Sequence, residues 1–146
     1  ALERNGLITG TSIFTVAPTV PAIFTADSSG SGGIVALNPD GSRNSKDHPA
    51  AAGSYVVFFA TGAGLVGGNP ANGEIMGSQL LGPFAPVYVR IGREPAQLYY
   101  AGSSPTQVNG MLQINAQIPF VAPGEWPIRV IFGTASSAPG TTIFVK

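Results

Sequence analysis

At 146 residues the chain is long enough to bury the core of one domain. Apolar residues make up 44% and charged residues 10%, with seven acids against seven bases; this neutrality removes the steering and phosphate neutralisation on which nucleic-acid binders depend, and argues against nucleic acid as a partner. The absence of cysteine excludes disulfides, thiolate metal sites and a cysteine nucleophile, and no apolar run reaches the ~20 residues that a membrane-spanning helix needs.

The first element is a duplicate. Gly10-Thr11-Ser12-Ile13-Phe14 returns near the other end as Gly140-Thr141-Thr142-Ile143-Phe144. Both copies carry the β-branched and aromatic residues of a half-buried strand. Residues 1–6 read as a polar lead-in and residues 7–16 as the first strand. Ala17-Pro18-Thr19-Val20-Pro21 follows as a stiff connector, because each proline fixes φ and removes a donor. Residues 22–25 form a short strand and residues 27–33 a Ser/Gly loop. Asn38-Pro39-Asp40-Gly41 has turn residues in turn positions and predicts a hairpin between residues 34–37 and a polar return.

Residues 54–61 are apolar at every second position and nearly so between them, which predicts a central strand covered on both faces. Residues 62–86 form a long loop with seven glycines and three prolines. Residues 87–91 alternate, with Val87, Val89 and Ile91 inward, and the chain turns at 92–95 to return over 96–100 as a hairpin. The clearest alternation is Leu112, Ile114, Ala116 and Ile118 on one face against Gln113, Asn115 and Gln117 on the other. Strands over 126–132 and 140–145 complete the chain. No window combines a helical period with caps. Short strands punctuated by Gly and Pro predict an all-β, two-sheet antiparallel sandwich over residues 20–146, with residues 1–19 as an extension.

Several pieces in order carry a resemblance: Val16-Ala17-Pro18 with Pro21-Ala22-Ile23-Phe24-Thr25, Leu37-Asn38-Pro39-Asp40-Gly41-Ser42-Arg43-Asn44, and the runs at 55–64, 87–102 and 110–119. The chain resembles the acidobacterial (Solibacter-type) secreted C-terminal domain family. The resemblance implies an Ig-like β-sandwich and an extracellular or cell-surface location, with no catalytic residues to carry over. It also implies that a stretch like residues 5–16 closes a preceding domain. Ala1 in place of Met fits either a processed exported chain or an excised fragment.

Chemistry-bearing patterns are sparse. Gly62-Ala63-Gly64-Leu65-Val66-Gly67 matches the dinucleotide fingerprint literally, but Gly68, Asn69, Pro70, Asn72 and Gly73 cannot start the helix that the fingerprint needs. A glycine-rich exit from a strand explains it. Asn38, Asp40, Asn44 and Asp47 offer oxygens for calcium, yet Pro39 and Gly41 already account for them as turn chemistry. His48, the sole histidine, lies in a polar loop beside no nucleophile signature. The seven acids are widely spaced and suggest no carboxylate pair. No catalytic, cofactor or metal residue is therefore predicted, and the chain reads as a non-enzyme. Trp126 reads as a core plug.

Two binding surfaces are expected. Tyr88, Arg90, Gln97 and Tyr99, with Gln113, Asn115 and Gln117, would form a flat polar and aromatic face suited to a polysaccharide. Residues 7–16 admit three readings: pairing within their own sandwich, membership of an upstream domain, or donation to a neighbouring molecule. The duplication, the stiff Pro18–Pro21 connector and the neutral surface favour donation. Leu7, Ile8, Ile13, Phe14 and Val16 would then enter a second copy, making a head-to-tail homopolymer.

Overall fold

The computed structural model describes residues 2–146. It is all-β, with no helix among those residues. Two sheets pack face to face as a sandwich. The first has β6 (Tyr55–Thr61) and β10 (Leu112–Gln117) at its centre. Beyond β10 lies β9 (Leu98–Ser103), and beyond β6 lie β3 (Ala22–Ile23) and β5 (Ala36–Leu37). The second sheet runs β4 (Gly32–Gly33), β13 (Thr141–Val145), β11 (Gly124–Phe132), β7 (Val87–Ile91), β8 (Glu94–Ala96), with β12 (Ala135–Ser136) folded back on β11.

Period-two patterning decides which face of each strand is buried. Val56, Phe58 and Ala60 of β6 and Leu112, Ile114 and Ala116 of β10 point inward. They meet Val89 and Ile91 of β7, Ile128, Val130 and Phe132 of β11, and Ile143 and Val145 of β13. Each large apolar side chain so buried stabilises the fold by about 1.5–3 kcal/mol relative to exposure. β6 is central, as its sequence predicts, but only one face is covered. Val57 and Phe59 remain half-buried on the outer face, and Tyr55 is exposed. Their apolar character matches an outer sheet surface rather than a third layer.

A second expectation needs correction. Residues 96–100 do not return wholly alongside β7. β8 pairs with β7 only through Val89↔Ala96, Arg90↔Pro95 and Ile91↔Glu94. At Gln97 the chain crosses to the first sheet, where the Gln97 carbonyl accepts from the Gln117 amide (2.8 Å) and β9 pairs with β10. One apparent hairpin thus spans both sheets.

The outer edge of β13 is sealed by short pieces. Residues 32–34 run parallel to its start, with Ile34 N–H donating to the Thr142 carbonyl (3.0 Å). Asn44 then replaces a backbone: its Oδ1 accepts from Phe144 N–H (2.9 Å) and its Nδ2 donates to the Phe144 carbonyl (2.9 Å). Asn44 Nδ2 also donates to Asn38 Oδ1 (3.2 Å), and Asn38 Nδ2 donates to the His48 carbonyl (2.9 Å). Ala50 closes the edge beside Val145.

The beginning of the chain differs most from expectation. Residues 7–16 are not one strand. β1 (Leu2–Arg4) and β2 (Leu7–Gly10) form their own hairpin. Asn5 and Gly6 both have positive φ (53° and 77°), the backbone of a type I′ turn whose twist matches the flanking strands. The supposed lead-in is therefore half of a hairpin, while residues 11–16 belong to no strand.

Candidate functional site

Ile13, Phe14 and Val16 are 97%, 81% and 93% exposed. Leu7 and Ile8 on β2 are exposed as well. Among the described residues none forms a β-bridge with residues 11–16. Their duplicate, by contrast, is fully built into the second sheet: Ile143 is buried, and Thr141 Oγ1 donates to the Ile128 carbonyl (2.7 Å). Two nearly identical segments thus occupy opposite environments. The difference lies in their neighbours, since residues 141–145 follow a strand that supplies a ladder and residues 11–16 do not.

The connector does not float free along its whole length. Val20 N–H donates to the Gly62 carbonyl (2.8 Å), and Thr19 Oγ1 donates to the Phe132 carbonyl (3.0 Å). Pro21 is buried while Pro18 is exposed. The boundary of the extension therefore falls near Pro18: the chain is fixed to the sandwich from Thr19 onward and stands off before it.

This fixing explains the glycine motif. Gly62 and Gly64 have positive φ (82° and 74°). A Cβ at Gly62 would lie 1.8 Å from the Val20 carbonyl oxygen, and one at Gly64 2.2 Å from that of Pro18. Gly67 has no such neighbour; its Cβ would be 3.7 Å from Gly82 O. The first two glycines let the connector backbone pass against the end of β6.

The residues expected to form one polar and aromatic face are divided. Tyr88 and Arg90 project outward from β7 in the second sheet, whereas Gln113, Asn115 and Gln117 lie on β10 in the first. Gln97 sits at the crossing and Tyr99 on β9. Part of the amide row is already engaged, Gln113 Nε2 with Asn115 Oδ1 (2.9 Å) and Gln117 Nε2 with the Gly53 carbonyl (2.8 Å). The seven residues are thus shared between strands of two sheets, with the crossing at Gln97 between them. A separate open cleft of about 520 Å³ on the first sheet gathers Phe24, Val35, Phe59, Gln107, Met111 and Gln113. Phe24 and Gln107 were not legible as neighbours, because distant loops bring them together.

The remaining candidates resolve as local structure. Asp40 accepts from the Ser42 amide (2.9 Å) and hydroxyl (2.6 Å), and these bonds from Ser42 hold its carboxyl below the ordinary range. Asp27 does the same with Ser29, with the same consequence. Asn44 is committed to β13, leaving no oxygen cage with Asn38, Asp40 and Asp47. No group of three or more His, Cys, Asp or Glu side chains among the described residues is placed to hold a metal ion. His48 is exposed. Trp126 is half-buried, packs against the core and donates from Nε1 to the Ala122 carbonyl (2.8 Å). No helix among the described residues is long and apolar enough to cross a membrane.

Fold and site together define a β-sandwich carrying a fixed connector and, ahead of it, an apolar segment without a strand partner among the described residues. No protein-family model, no curated protein and no solved structure matches the chain.

Proposed function

We propose that the protein is a structural subunit, working outside the cell or at its surface, that assembles head to tail by lending residues 11–16 to the next copy. The observation that carries this reading is the exposure of Ile13, Phe14 and Val16 on a segment with strand-forming side chains. Exposed apolar residues in an extended segment gain from joining another sheet, where a ladder pairs the backbone and alternate side chains are buried. The fixed connector supports the same reading, because it presents the segment in a defined place. Donation from one copy to the next is heterologous, so it propagates as a filament instead of closing a dimer.

Deleting residues 1–16 is expected to leave a folded monomer, since the core lies in residues 20–146. It is expected to abolish assembly seen by negative-stain imaging and by light scattering. Filaments from the truncated chain would refute the proposal.

A second reading rests on the cleft of Phe24, Phe59, Gln107 and Gln113. Aromatic faces with side-chain amides suit stacking on sugars, and in this reading the domain is a polysaccharide-binding module of a larger secreted protein. Glycan binding by the monomer that Phe59→Ala and Gln113→Ala weaken at least tenfold supports it. Unchanged binding by those variants, or none by the parent, excludes the cleft.

A further inference from the structure

An inserted strand needs an uncovered backbone edge beside apolar space. Most edges of the sandwich fail one requirement. That of β13 is filled by residues 32–34, Asn44 and Ala50. The chain just after β3 is met by residues 33–35, through Val35 N–H to the Phe24 carbonyl (2.8 Å) and Ala26 N–H to the Gly33 carbonyl (2.9 Å). The upper part of β9 is capped where Ser103 N–H donates to the Leu81 carbonyl (2.8 Å). β8 turns Pro95 outward: Pro95 cannot exchange hydrogen bonds with Arg90, so that pair is the non-bonded one and the proline ring nitrogen faces solvent.

The same alternation exposes one stretch. If Val89 and Ile91 bond to β8, the N–H and C=O of Val87 point to the same side. Among the described residues no strand pairs with β7 there, because the β8 ladder ends at Ala96 and the chain leaves for the other sheet at Gln97. Beside it, at the seam where the chain passes from one sheet to the other, lies a groove of about 460 Å³ in which Tyr88, Arg90 and Pro95 line the wall together with the apolar Val87, Leu98 and Ile131.

We infer that this seam is the acceptor for residues 11–16 of a second copy, an assignment that rests on the strand-donation reading above. Two observations choose that occupant. The chain itself carries a strand-prone segment that has no strand partner among the described residues, and that segment has one strongly apolar face. Phe14 and Val16 lie two apart and point the same way in an extended strand. Those two side chains enter the groove, while the donor backbone bonds to Val87. Thr15 then faces outward, near the rim at Gln97.

The absence of cysteine makes cross-linking a direct test. The full-length variants Thr15→Cys and Gln97→Cys are mixed and oxidised. The expected product is a disulfide-linked dimer between the two, and the double variant is expected to give a ladder of multimers. Adding Phe14→Asp is expected to lower the yield at least tenfold without moving the thermal unfolding of the sandwich. A cross-linked monomer from the double variant would mean that the segment fills its own groove, and would overturn the inference. So would a yield no higher than that of Thr15→Cys with a distant control, Ser31→Cys. Preferential linkage of Thr15→Cys to Thr142→Cys would assign the segment to the β13 edge: donation would stand and the seam would fall. If deletion of residues 1–16 leaves assembly intact, the donation reading itself fails.

Discussion

Replacing Gly62 by alanine separates a structural role for the glycine motif from a ligand-binding one. The new Cβ would start 1.8 Å from the Val20 carbonyl oxygen, well inside the 3.0 Å that real Cβ contacts respect, so the connector must move by more than an ångström. That movement breaks the Val20 N–H bond to the Gly62 carbonyl. Alanine is also strained at φ 82°. Left-handed backbone costs an L-residue roughly 1–2 kcal/mol, and the lost hydrogen bond about 0.5–1.5 kcal/mol. The sum is about 1.5–3.5 kcal/mol, or a fall in Tm of about 5–10 °C for a domain of this size. Equilibrium unfolding in urea reads the difference directly. Gly67→Ala, with ordinary φ and 3.7 Å of clearance, is expected to stay within about 0.5 kcal/mol of the parent. A Gly62→Ala protein as stable as the parent would refute the reasoning, as would a Gly67→Ala protein equally damaged.

Asn44→Ala should leave the Phe144 N–H without its partner, while the Phe144 carbonyl keeps the Ala50 N–H (2.9 Å), and should destabilise the sandwich by about 1–3 kcal/mol in urea unfolding, the cost of one orphaned buried group. Asn44→Asp keeps the acceptor but loses the donor, and should fall between alanine and the parent. The carboxyls of Asp27 and Asp40 are held low by Ser29 and Ser42, so their contribution is present above the unfolded value of 3.8 and lost as pH falls through the lower folded values. Thermal unfolding followed from about pH 5 to about pH 2 should show an acid-side loss that Asp27→Asn with Asp40→Asn reduces. An unchanged acid limb in the double variant would remove these turns from the explanation.

The glycine prediction also marks where sequence reasoning stops. At 62–67, Pro70 and the surrounding Asn and Gly residues argue against the helix that a nucleotide fingerprint needs, and no helix follows among the described residues. The motif's actual cause, contact with Val20 and Pro18, was not visible, since those residues lie more than forty positions upstream. Asn44 is similar: read as turn chemistry, it also completes a sheet edge a hundred residues away. The residues expected on one polysaccharide face are divided between two sheets for a related reason. Alternation tells which side of a strand a residue occupies, but not to which sheet the strand belongs.

By itself, the sequence determined the all-β class, the inward residues of β7 and β10, and the turn at residues 38–41. These follow from short-range physics: period-two burial, β-branched side chains, and Gly and Pro where regular strands must stop. It also drew attention to residues 7–16 through their copy at the far end. Only the tertiary structure decided that Gly140-Thr141-Thr142-Ile143-Phe144 is built into a sheet while Gly10-Thr11-Ser12-Ile13-Phe14 leaves a hairpin and stands exposed. The side chains are nearly the same. Strand formation needs a partner edge, and a partner edge is a property of the fold around a segment rather than of the segment.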